Sequence, residues 1–127
     1  IDKTLQKKVE DLPELLKTNV ELVLGNHDIG CKIKNLKVFD IKKIKNIILS
    51  HEPINLVNNK TFNICGHYHP KLYLKNKGDK LSFRCFAMDM KKNTLYMPAF
   101  GDLTGGYPCK KSFKKWAIIS EKEILEI

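Results

Sequence analysis

Leu5, Val9, Leu12 and Leu16 recur at spacings of three and four, which puts them on one face of a helix over residues 1–18. Pro13 interrupts that helix. Asp11 is then expected to cap a second short helix with proline in its tolerated first turn, carrying Leu15 and Leu16 into the core. Beyond residue 19 the period changes. Short β-branched or alternating runs at 20–24, 36–39, 46–49, 61–65, 71–75, 81–90, 94–100 and 116–120 predict strands, and Ile124 and Leu125 end the chain in the same character. Turns are expected at 58–60, 76–80 and 91–93, where polar residues cluster. Lys42, Lys43 and Lys45 read as a solvated connection, and the breaker-rich stretch 101–108 reads as loop. Helices first and strands afterwards predict an α+β domain spanning residues 1–127. A helix leading into a buried strand also implies an earlier strand that these residues do not include, so the chain reads as part of a larger domain.

The 43% hydrophobic and 29% charged content is that of a globular chain. No apolar run approaches the roughly 20 residues of a membrane helix, so no membrane partner is expected. The net charge of +9 comes from 23 Lys+Arg against 14 Asp+Glu, with Arg84 the single arginine. Such a surface attracts polyanions, nucleic acid among them. Yet no block is dense enough for a dedicated binding arm, and a solvated lysine surface is the plainer reading. Cys31, Cys65, Cys85 and Cys109 form no Cys-x-x-Cys pair, which argues against a zinc knot or a disulfide framework. Cys65 and Cys85 read as small buried hydrophobes. Reduced thiols and the lack of a signal segment lead to an expected cytoplasmic location.

The histidines change the picture. All four (His27, His51, His67, His69) follow directly on strand-like runs: Asn26-His27-Asp28 after Gly25, Ser50-His51-Glu52-Pro53, and Gly66-His67-Tyr68-His69-Pro70. Strand ends gather chemistry in α/β folds, so these clusters are expected to converge on one edge. In an extended segment side chains two apart face the same way, and Pro70 should hold His69 extended, so His67 and His69 could face one centre. Imidazole nitrogen and amide oxygen suit manganese, zinc or iron, whereas calcium wants more oxygens.

In that order, Gly25-Asn26-His27-Asp28, Ser50-His51-Glu52-Pro53 and Gly66-His67-Tyr68-His69-Pro70 resemble the calcineurin-like metallophosphoesterases. Met97-Pro98-Ala99-Phe100-Gly101 with Thr104-Gly105-Gly106 is similar to their DNA ligase-associated, or ICC-like, branch. The resemblance implies a β-sandwich flanked by helices and a two-metal phosphodiesterase, with divalent ions, manganese foremost and zinc or iron as alternatives. It implies that Asn26, His51 and His67 ligate one metal and His69 the other, while His27, held by Asp28, contacts the scissile phosphate or protonates the leaving group. The substrate would be a phosphate ester, nucleic acid included, and a homo-oligomer is left open as a further partner. The family's amino-terminal Asp-x-His and Gly-Asp motifs have no counterpart here. The chain alone is therefore expected to bind one metal weakly and turn over little. A non-catalytic basic module that docks on nucleic acid or protein is the alternative.

Overall fold

A computed structural model describes residues 3–25, 32–101 and 105–127. Among the described residues two helices, α1 (Lys3–Glu10) and α2 (Leu12–Leu16), precede eleven strands: β1 (Glu21–Val23), β2 (Lys37–Phe39), β3 (Ile41–Ile44), β4 (Ile47–Ser50), β5 (Phe62–Cys65), β6 (Pro70–Asn76), β7 (Asp79–Asp89), β8 (Thr94–Tyr96), β9 (Tyr107–Pro108), β10 (Lys114–Ser120) and β11 (Glu123–Glu126). The expected α+β class holds.

The helices depart from expectation in what they bury. Leu15 and Leu16 are 75% and 58% exposed instead of joining the core. Asp11 makes no side-chain cap; its carboxylate pairs with Lys7 at 2.8 Å, one helical turn back. Polar contacts attach α1 to the chain: Gln6 Nε2 donates to the Lys32 carbonyl at 2.7 Å, and the Lys34 N–H donates to the Glu10 carboxylate at 3.0 Å. The Gln6 amide and the Lys34 N–H hold that carboxyl below its usual range.

Strands β1 and β2 form a separate parallel pair. The larger sheet runs β11-β10-β7-β8-β5-β4-β3, with β6 pairing β7 and β9 at one side. The expected solvated connection around Lys42 and Lys43 is instead β3, an antiparallel edge strand on β4. Its Ile-Lys-Lys-Ile sequence lacks strict alternation, but lysines suit an edge that must not pair further. The expected strand 94–100 stops at Tyr96, and β9 adds a short parallel contact to β6 inside the expected loop.

The core lies on one face of the larger sheet. Cys85, Ala87 and Ala117 are 0% exposed, and Tyr96 stacks on Phe113 with ring centroids 5.8 Å apart. Small side chains there let Cys65, Tyr68 and Cys109 close over the ring pair. At the centre, β4, β5 and β8 are parallel and in register, Ser50 opposite Cys65 and Cys65 opposite Tyr96. Their carboxyl ends therefore share one edge, and the residues that follow them are neighbours.

Candidate metal centre

That edge is stitched by backbone bonds. Gly66 N–H donates to the His51 carbonyl at 3.0 Å, and Met97 N–H donates to the Cys65 carbonyl at 2.8 Å. His51 and His67 thereby meet, His51 Nε2 lying 3.2 Å from His67 Nδ1. Two nitrogens each bound roughly 2.0–2.1 Å from one ion, at octahedral or tetrahedral angles, stand about 2.9–3.4 Å apart. The pair has the spacing of two donors to a common cation, which in the absence of one also suits an N–H···N hydrogen bond. His67 is exposed; its Nε2 lies 3.9 Å from a Glu52 carboxylate oxygen, near a group able to orient the ring.

How His67 is presented differs from the extended geometry expected. Tyr68 N–H donates back to the Gly66 carbonyl at 2.8 Å, a three-residue turn with His67 at its apex and φ at 67°. His69 also takes a positive φ, 53°, despite the proline after it. Left-handed backbone at two non-glycine residues so close together is costly. Alternation of an extended strand therefore does not aim these two rings. His69 is half-buried, and its carbonyl accepts the Tyr107 N–H at 3.1 Å, so its backbone joins the start of β6 to β9.

Gly106 is required by that junction. A Cβ there would lie 2.6 Å from Lys71 Cγ and 2.7 Å from the His69 carbonyl oxygen, closer than side chains tolerate. At Gly105 a Cβ would meet nothing within 4 Å. Gly106→Ala should destabilise the protein by about 1–3 kcal/mol through overpacking, while Gly105→Ala should be nearly neutral; urea midpoints of the two variants check this. Equal midpoints would contradict the close packing of β9 on His69.

The loop that carries His51 is held by a residue the hydrophobic pattern did not single out. Asn63, on β5, is 0% exposed. Its Nδ2 donates to the Ile48 carbonyl and the Ser50 hydroxyl, both at 2.9 Å, and its Oδ1 accepts the Ile54 N–H at 3.2 Å. Ser50 in turn donates to the Glu52 carbonyl at 2.6 Å. One buried amide thus supplies the hydrogen bonds that a crossover without a helix would otherwise lack. An asparagine between Phe62 and Ile64 looks like the polar position of an alternating strand, so sequence offered no sign of it.

Two further side chains shape the surroundings. Arg84 donates to the carbonyls of Ala99 and Phe100 at 3.1 and 3.0 Å, fixing the segment after β8 against β7. Tyr68 is a packing residue, its hydroxyl donating to the Pro108 carbonyl at 2.9 Å. Burial, with the Cys109 and Cys85 thiols beside it, pushes that hydroxyl's pKa up. Asn26, His27 and Asp28 lie outside the described residues, as does Thr104. Among the described residues no group of three or more His, Cys, Asp or Glu side chains is placed to hold an ion; His51 and His67 are a pair.

No family model matches the sequence, and no curated protein matches it. Among solved structures, the crystal structure of Pseudomonas putida nuclease MPE is similar at 26% identity and a TM-score of 0.74. The likeness covers 94% of this chain and 60% of the nuclease. This chain thus shares the fold of part of a nuclease along nearly its whole length.

Proposed function

We propose that the chain forms part of the active centre of a metal-dependent phosphodiesterase of the calcineurin-like kind. The observation that carries the reading is the 3.2 Å approach of His51 and His67 at the joined ends of parallel β4 and β5. In this reading Asn26 completes their ligand set and His69 serves a second ion. When bound, a divalent ion, manganese foremost, would polarise a phosphoryl oxygen and lower the pKa of a water. His27, oriented by Asp28, contacts the phosphate and hands a proton to the leaving oxygen. The chain spans 60% of the nuclease it resembles, and the carboxylates such a centre needs are assigned to residues outside these 127. The experiment is hydrolysis of a model phosphodiester by the longest native polypeptide, with and without manganese. Absence of metal-dependent cleavage would end the enzymatic reading.

A specific surface favours nucleic acid as the phosphodiester, and equally the non-catalytic alternative. In the β6–β7 hairpin, Lys71 opposes Arg84, Tyr73 opposes Ser82 and Lys75 opposes Lys80, so these six side chains share one face. That face carries four positive charges around the exposed Tyr73 ring and starts two residues after His69; the exposed ring of Phe100 belongs to the segment Arg84 holds. Lysines along a backbone track with aromatic rings for stacking are the chemistry of polynucleotide binding. Lys75→Ala/Lys80→Ala is expected to weaken binding of a labelled oligonucleotide, in chelator, by roughly tenfold and to reduce the salt slope by about 1.4. An unchanged slope would remove the hairpin from the interface without touching the catalytic proposal.

A further inference from the structure

The mechanism leaves a pair of thiols unused. Cys85 Sγ lies 3.2 Å from Cys109 Sγ, the first on β7 and fully buried, the second just after β9 and partly exposed. Both thiols are free, and they sit 24 positions apart in sequence. A disulfide needs about 2.05 Å between sulfurs, so side-chain rotation must close only about 1 Å more. The backbone around the pair is already anchored: Cys109 N–H donates to the Lys71 carbonyl at 3.2 Å, and the neighbouring Arg84 holds the carbonyls of Ala99 and Phe100.

We propose that Cys85 and Cys109 are a reversible dithiol–disulfide modification site whose oxidant is a hydroperoxide, hydrogen peroxide in the simplest case. Cys109, the thiol that solvent reaches, attacks the peroxide as its thiolate; an S–O bond forms, the O–O bond breaks and hydroxide leaves. The Cys85 sulfur then attacks the sulfenic sulfur, the S–S bond forms, the S–O bond breaks, and the Cys85 proton leaves with the oxygen as water. The sum is two thiols and one peroxide giving one disulfide and two waters, with two electrons passed to oxygen. Burial pushes the Cys85 thiol up to about 12, so Cys109 is the partner that begins. The closed ring runs from residue 85 to residue 109 and contains β8, Met97, whose N–H donates to the Cys65 carbonyl two residues before His67, and Gly106, which packs on the His69 carbonyl. Oxidation ties the wall of the candidate centre to β7 without using any of its donors.

The test treats the purified protein with hydrogen peroxide, then maps peptides by mass under non-reducing conditions. The expected product is about 2 Da lighter, with the Cys85 and Cys109 peptides joined, and dithiothreitol restores the original mass. The melting temperature should rise by roughly 10 °C on oxidation, as closing a ring of this length implies. Cys109→Ser, at the less buried position, should abolish both changes, and Cys65→Ser should leave them in place. A joined pair involving Cys31 or Cys65, or Cys109 recovered only as sulfinic acid, overturns the proposal. The phosphodiesterase reading is independent of the result.

Discussion

His67→Ala is expected to reduce manganese-dependent phosphodiester hydrolysis by the polypeptide that carries this chain by at least a hundredfold. Loss of a residue that merely orients a metal ligand typically costs ~10–100-fold, and His67 is proposed as a donor itself. Its ring supplies one of two nitrogens that stand 3.2 Å apart. The side chain is exposed, so the fold should survive its removal. The backbone adds a second and sharper expectation. Because His67 sits at φ 67°, an L-residue there carries strain of about 1–2 kcal/mol. His67→Gly should therefore unfold at a higher urea concentration than His67→Ala while being equally inactive. Activity that survives in either variant would remove His67 from the centre. A glycine variant no more stable than the alanine one would mean that the turn stores no strain for the ring to use.

The largest loss of stability is expected at Asn63. Asn63→Ala strips one partner each from the Ile48 carbonyl, the Ser50 hydroxyl and the Ile54 N–H around a side chain that is itself 0% exposed, while the Ser50 hydroxyl keeps its bond to the Glu52 carbonyl. Each buried polar group left alone costs about 1–3 kcal/mol, and local relaxation recovers part of it, so a net loss of about 3–4 kcal/mol is expected. Urea unfolding measures it. Asn63→Leu keeps the volume but not the bonds, and should be no better. Below full unfolding, the 51–54 segment should open first, since Asn63 Oδ1 is what holds the Ile54 N–H. Amide exchange at Ile54 should accelerate ahead of exchange in β10, which pairs on both sides. A loss below about 1 kcal/mol would mean that the crossover is held by something other than this amide.

The elements themselves were largely legible. Strand runs at 46–49, 61–65, 71–75, 81–90 and 116–120 match β4, β5, β6, β7 and β10 to within a few residues, because alternation and turn residues are local signals. Their placement of histidines at strand ends was legible for the same reason: Gly66 and the polar residues after Ser50 stop their strands where the pattern stops. Lysine-rich β3 was hidden, since an edge strand needs no apolar alternation. Leu15 and Leu16 misled, since helical spacing says which side chains share a face and not whether anything packs on it.

The sequence by itself thus determined where most of the inner strands lie and which residues follow them. Tertiary structure decided which ends became neighbours. That β4 lies beside β5 in parallel register, so that His51 meets His67, is a pairing between residues 16 positions apart. The approach of Cys85 to Cys109 spans 24 positions, and the buried asparagine that satisfies the crossover reaches Ile48 across 15. Such contacts arise when sheets close over a shared core and every buried polar group must find a partner, a condition on the whole chain that no short window of residues expresses.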